Sequence, residues 1–411
     1  MILALAVGIA AGMITIALRH ALSMDPIPAK SELLMGLQDP SAGTYAENLF
    51  DYAHARALAR LRGQNTASTF TGQGIVTSFS VRGRDISNSG GLGIRYATPS
   101  FFRMFNVPLE RGRIWTATEE ANATPVMVMS RDTAGALFPA RDVIGQQVRL
   151  GHTLYTIIGI TDEWNPRPRY YNLNGPAGAF GGDGDAIFLP VTTIQYAPDD
   201  MMVPRGCSSQ ATRASPSTFL TAGCDWLSVW YMARTQHDVA VLKQVMKNQL
   251  PSLFRPYRAS KLQLLSVREI LINANIVPGS VRLYSMLGVI FLALCVVNAS
   301  GMQLSRVLRA TSQIGIRRAL GASRTEIIKQ YLCDALLVGG AGGLLGVALT
   351  FAGLYGIRHL PGVFYADMAR MDGAMFALMI ALIFVCSVLV GVIPAWLASR
   401  ADPALVIKSA Q

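Results

Sequence analysis

Four runs of apolar positions stand out along the chain: Ile2–Leu18, Tyr284–Leu304, Ala335–Ile357 and Met375–Leu397. Each is long enough to cross a hydrocarbon layer of roughly 30 Å as a helix. Between the first and second lies a polar region, Arg19 to about Arg282, in which nothing is apolar for long enough to span. The pattern therefore predicts a membrane protein with four transmembrane helices. A large mixed α/β domain of two subdomains is inserted between helices 1 and 2. In residue terms this gives transmembrane helix 1 at 1–20, the outer domain at 21–280 and transmembrane helix 2 at 281–304. A coupling elbow at 305–334 leads to transmembrane helix 3 at 335–357. A short loop at 358–374, transmembrane helix 4 at 375–397 and a tail at 398–411 complete the chain.

Within the outer domain the period alternates between 3.6 and 2. Ser41 to about Leu61 reads as helix, and FTGQGIVTSFSVRG as strand and turn. Pro99 starts a short helix that ends before Pro108. Val126–Met129 is a buried strand, followed by a Ser130-led helix and another strand. His152–Glu163 and DAIFLPV are further strands, and CDWLSVWYMART resumes strand character. VAVLKQVMKNQL is an amphipathic helix ending before Pro251. The segment Asn165–Gly184, rich in Pro, Gly and Tyr, is expected to be an exposed loop.

Composition agrees with a mixed membrane and aqueous chain, since 51% of the 411 residues are hydrophobic and only 15% charged. Basic residues set the orientation. Arg306, Arg309, Arg317, Arg318, Arg324 and Lys329 crowd the loop after the second span, which is therefore placed in the cytoplasm with the tail. The large domain is then outside. The net charge of +11 is accounted for by this topology, and no aromatic-interleaved basic patch marks a nucleic-acid partner. The first apolar run lacks a charged lead-in and is read as a retained helix, with a cytoplasmic lead-in missing or very short, rather than as a cleaved signal.

Candidate chemistry is sparse. No Walker A pattern occurs, and GGAGGLLG (Gly339–Gly346) lies inside a span. Gly339, Gly342, Gly343 and Gly346 are instead spaced for close helix packing. Asn298, polar within the second span, is expected to face a neighbouring helix or a polar seam. The five histidines form no metal motif, and no nucleophile elbow or Ser/His/Asp set appears. No catalytic residue and no metal site are expected. Cys207 and Cys224 both lie in the outer domain; bonded and free states are both open, and closing the loop would contribute ~3 kcal/mol.

The loop SQIGIRRALGASRTEIIKQ is built rather than slack. Gly321 suits a helix C-cap, and Ser323-Arg-Thr-Glu326 is a capping box opening a new helix that runs into the third span. Two short helices with a fixed elbow suit docking against another protein, with anchoring at the membrane surface by Arg and Lys alone as the alternative.

Two segments carry a family resemblance. TPSFFRMFNVPLERGR, VMVMSRDTAGALF, DVIGQQVRL and LYTIIGI resemble the periplasmic core domain of MacB-type ABC transporter permeases. LCVVNASGMQLSR, IGIRRALGASRTEIIKQYLCDALLVGGAGGLLG and IPAWLASRADPALVIKSA resemble the FtsX-like permease domain. The resemblance implies a non-catalytic permease subunit in the bacterial inner membrane, its large domain periplasmic. It implies an ABC ATPase subunit as partner, with ATP and Mg bound there and no cofactor in this chain. Pairing as a homodimer or with a second permease is also implied, and a periplasmic adaptor or outer-membrane channel is compatible with it. Efflux or mechanotransmission would be driven through Ile316, Arg317, Arg318, Ala319, Gly321 and Ala322, with Ser323 and Glu326 holding the elbow. The sequence departs from the family pattern at Ser312 and Gln313, where Arg-Glu is usual, and at Asp334, where Glu is usual. A membrane-anchored regulator or scaffold, whose outer domain binds a partner without transport, is the alternative.

Overall fold

The computed structural model describes residues 1–41, 48–61, 63, 65–138, 142–173, 179–180, 184–207, 215–310, 317, 320, 323–360 and 366–399. It falls into two compact units, Asp25–Ile276 and a helical unit made of Met1–Met24 with Val277 onward.

In the helical unit, α1 is Ile2–Ser23. The α/β unit follows with β1 (Leu34–Gln38), α2 (Tyr52–Arg60), β2 (Ala67–Val81) and β3 (Arg84–Ala97). Next come α3 (Ser100–Met104), β4 (Leu109–Gly112), α4 (Ala117–Ala121), β5 (Val126–Ser130) and α5 (Arg131–Leu137). β6 (Gln147–Leu150), β7 (Thr153–Thr161), β8 (Ile187–Pro190) and β9 (Ser228–Met232) lead to α6 (Gln236–Leu253). The unit closes with α7 (Pro256–Lys261), β10 (Gln263–Ser266) and α8 (Val267–Asn273). The chain then returns to the helical unit through α9 (Gly279–Arg309), α10 (Arg324–Arg358) and α11 (Gly373–Ser399).

The expected division of the α/β unit into two subdomains is corrected by its sheet. One ten-stranded sheet runs through it in the order β10-β1-β9-β2-β3-β8-β5-β7-β4, with β6 pairing β2 and β7. Its two hydrophobic cores lie on opposite faces, because successive strand residues point to opposite sides. Met35, Ile94, Tyr96, Met127, Met129 and Tyr231 bury on one face. Leu34, Ala97, Val126, Val128, Phe188 and Trp230 bury on the other. Local chemistry sets the punctuation. The β2–β3 hairpin turns through Arg82 and Gly83, both at positive φ (52° and 77°) as a tight two-residue turn requires. Ser130 accepts from the Thr133 N–H to open α5.

Three further expectations change. The helix expected over Ser41–Leu61 is confined, among the described residues, to Tyr52–Arg60, because Asp51 caps it by accepting from the His54 N–H. The helix expected to stop before Pro251 continues to Leu253, since a proline in the last turn forfeits a single N–H bond. The stretch Asn165–Gly184, expected as an exposed loop, is half buried or buried where it is described: Arg169, Tyr170, Tyr171 and Asn172 are all at most 3% exposed. The cause is an ion pair and an aromatic stack. Arg95 on β3 donates to both oxygens of Asp185 at 3.0 and 2.9 Å, and its guanidinium lies 4.8 Å from the centre of the Tyr171 ring. Tyr171 stacks on Trp164 and meets Phe101 and Phe105 of the SFFRMF turn edge-on. Aromatic content that reads as loop in sequence thus becomes core.

Both charges of the Arg95–Asp185 pair are essentially unexposed (1% and 0%). Breaking such a pair strands a buried charge. Arg95→Met or Asp185→Asn alone is expected to destabilise the protein by about 3–5 kcal/mol. The double change Arg95→Met/Asp185→Leu should cost clearly less than either single change. Denaturant unfolding followed by tryptophan fluorescence checks the ranking.

Candidate transmission elbow and helix seams

Four helices are long and apolar enough to cross a membrane: Ile2–Ser23, Gly279–Arg309, Thr325–Arg358 and Gly373–Val392. Arg19 Nη1 at the end of α1 donates to Ser285 Oγ on α9 at 3.4 Å, and His20 Nε2 meets Asp372 Oδ2 at 3.2 Å. Asp372 also accepts from the Met375 N–H and so caps α11. These bonds gather the C-terminal end of α1, the N-terminal end of α9 and the N-terminal end of α11 at one side of the helical unit.

The glycines of α10 divide between two faces. A Cβ on Gly339 would lie 2.1 Å from Ser387 Oγ, and one on Gly343 2.4 Å from Ile383 Cγ2, so this face meets α11. A Cβ on Gly342 would lie 3.2 Å from Leu5 Cβ, and one on Gly346 3.1 Å from Ile9 Cγ2, so that face meets α1. The glycines let helices approach on two sides at once, as expected where small residues repeat at four-residue spacing. The α1–α9 seam is similar: a Cβ on Gly288 would fall 2.4 Å from Thr15 Oγ1, and one on Gly8 2.7 Å from Cys295 Cβ.

Asn298 is placed differently from expectation. Cys295 and Ala299 of α9 are buried in the helical unit, while Asn298 is exposed. It sits one residue before Ala299, and so is turned by about 100° from it round the helix. Leu294, one turn before it and 56% exposed, shares its side, and Gly301 one turn on has open space around it.

Of the elbow residues, Ile316, Arg318, Ala319, Gly321 and Ala322 lie outside the described residues, as do Ser312 and Gln313. Arg317, Ser323 and Glu326 are described. Ser323 Oγ accepts from the Glu326 N–H at 3.2 Å, and Glu326 Oε2 accepts from the Ser323 N–H at 2.9 Å. This reciprocal cap opens α10, which continues without a break for 35 residues. The exposed Arg317 donates from Nη1 to Gln330 Oε1 at 2.9 Å, tying the elbow to the first turns of α10.

In the α/β unit, Cys207 and Cys224 form a disulfide, with Cα atoms 4.4 Å apart. No group of His, Cys, Asp or Glu among the described residues could hold a metal ion. One carboxyl group that sequence reasoning missed is Glu120, at the end of α4. Burial pushes its pKa up to about 7, against the pull of hydrogen bonds from the backbone of Thr192 and the Trp115 indole. No motif in the sequence signals it, since Trp115 is five residues away but the Thr192 N–H that engages its other oxygen comes from a turn about seventy residues on.

Four membrane-length helices packed on glycine seams, carrying one large α/β unit between the first and second, define a multi-pass membrane protein. Residues 1–242 match the MacB-like periplasmic core domain family, and residues 285–403 match the FtsX-like permease C-terminal family. The chain belongs to the MacB/FtsX-type ABC transporter permeases. It is 26% identical over 360 residues to the probable export ATP-binding/permease protein MacB of Pseudomonas entomophila, covering 85% of this chain and 46% of that one. Against the macrolide export ATP-binding/permease protein MacB of Bordetella avium it is 27% identical over 340 residues, covering 80% and 44%. The chain therefore spans about half the length of the curated relatives it matches. The periplasmic region of MacB from Actinobacillus actinomycetemcomitans aligns with a TM-score of 0.42 at 9% identity, over 62% of this chain and 99% of that one, a likeness too loose to carry weight.

The seam makes a controlled comparison possible. Gly343→Ala should destabilise the helical unit by about 1–3 kcal/mol through overpacking against Ile383. Gly340→Ala, with nothing within 4 Å, should be neutral or stabilising. Thermal unfolding in mild detergent distinguishes them.

Proposed function

We propose that this chain is the permease half of an ABC system and is not itself catalytic. It converts ATP hydrolysis by an ATPase, separate or fused, into movement of its α/β unit, for efflux or mechanotransmission. The observation that carries the reading is the capped elbow: Ser323 and Glu326 fix the start of a helix that continues unbroken through the third span. A force applied at the elbow would be delivered along that rigid helix and, through its glycine faces, to α1 and α11. Arg317 and its neighbours supply the basic surface for the ATPase, which binds the ATP and Mg. The excess of Arg and Lys in this loop supports a cytoplasmic elbow and a periplasmic α/β unit in the bacterial inner membrane.

The active form is a dimer, by this reading a homodimer. Asn298 supports it: this amide is exposed, and no hydrogen-bond partner for it occurs among the described residues. In hydrocarbon such a group is stabilised by a partner on another helix. A second copy packed along Leu294, Asn298 and Gly301 would provide one.

Affinity purification of the tagged protein from native membranes, with and without a non-hydrolysable ATP analogue, checks the coupling. An ATPase should co-purify and be lost on Arg317→Glu/Arg318→Glu, while the protein itself remains folded. Recovery of no ATPase under either condition would instead favour a regulator or scaffold whose α/β unit binds a partner without transport.

A further inference from the structure

The face of the α/β unit between α2 and α4 holds a cleft of about 480 Å³ that the coupling reading does not use. One wall is α2, whose Arg56 and Arg60 stand one turn apart on the same side. The opposite wall is α4, which offers the small apolar side chains Ala117 and Ala121, and Phe70 of β2 also lines the cleft. Both arginines are exposed, and neither has a carboxylate partner among the described residues. The acid that shares the cleft, Glu120, does not serve as one. Its Oε2 accepts from Trp115 Nε1 at 2.8 Å and its Oε1 from the Thr192 N–H at 3.2 Å, so both oxygens are already engaged. Burial also holds this carboxyl partly protonated near neutral pH, which weakens it as a counter-charge.

Two guanidiniums at i and i+4 form a fork suited to a planar or tetrahedral oxyanion. The cleft is concave and mixed in character, and its apolar part, the exposed methyls of Ala117 and Ala121 with the edge of Phe70, suits a short hydrocarbon body. We propose that this cleft binds a small amphiphilic anion, its carboxylate or phosphate held by Arg56 and Arg60 and its apolar portion laid along Phe70, Ala117 and Ala121. This goes beyond the coupling role and does not depend on it, because the cleft lies wholly within the α/β unit.

The test uses the full chain in lipid nanodiscs, with hydrogen exchange read by mass spectrometry over Tyr52–Arg60 and Ala117–Ala121. Octanoate and octyl phosphate are titrated separately, which distinguishes a carboxylate source from a phosphate source. At least one should protect both segments saturably. The midpoint should rise at least tenfold in Arg56→Gln/Arg60→Gln, and by less in Arg56→Lys/Arg60→Lys, which keeps the charge but not the guanidinium geometry. Unchanged exchange in the sheet strands verifies that the variants fold. Acetate, which lacks the body, and 1-octanol, which lacks the charge, should give no protection at the same concentrations. The proposal is overturned if neither anion protects, if the Gln double variant binds as tightly as the parent, or if acetate or 1-octanol protects equally well.

Discussion

The close approach of backbones along α10 is the constraint on which the helical unit depends. In a bilayer, helices gain little from hiding apolar surface from one another, since lipid is equally apolar, so association rests on tight packing. Glycines on two faces of one helix let α10 press against α1 and α11 together; an added Cβ would clash on the α11 face and crowd the α1 face. The same helix begins at the Ser323–Glu326 cap. One continuous element therefore carries both the capped start and the packing seam; in the coupling proposed above, displacement of one would be displacement of the other.

The α/β unit follows a different logic. Its two cores lie on opposite faces of one sheet, and each strand between them alternates its apolar side chains accordingly. Among the described residues between β7 and β8, Asp185 is held by a buried charge pair with Arg95. Arg95 is held by Asp185 while its guanidinium lies by Tyr171, so ionic and aromatic interactions fix the same stretch. Replacing a buried pair like this with apolar residues is often energetically neutral, whereas removing one partner alone is costly.

What could be read from the sequence was whatever rests on local chemistry. Apolar length gave the four spans, Ser130 its helix, Ser323 and Glu326 their cap, and the glycine spacing of α10 the possibility of close packing. What could not be read depends on partners distant in the chain. β1 and β10 pair with each other across more than two hundred residues, and neither carries a strong local strand pattern. Tyr170 and Tyr171 look like loop residues until Phe105 and Trp230 are folded over them. Asn298 was expected to face a neighbouring helix because an amide in a span needs a partner, but periodicity alone did not say which side of α9 the other three helices occupy. Glu120 was invisible for a similar reason, since half of its environment comes from the distant Thr192 turn and only Trp115 is close in sequence.

Transmission along α10 is the central claim, and hydrogen exchange of the α/β unit tests it most directly. The protein would be held in nanodiscs with its co-purified ATPase, and exchange compared with and without a non-hydrolysable ATP analogue. The account expects the analogue to change protection within Asp25–Ile276, and expects that change to vanish in Ser323→Ala/Glu326→Ala while nucleotide still binds. Unaltered protection on nucleotide binding, or a response that survives loss of the cap, would contradict it.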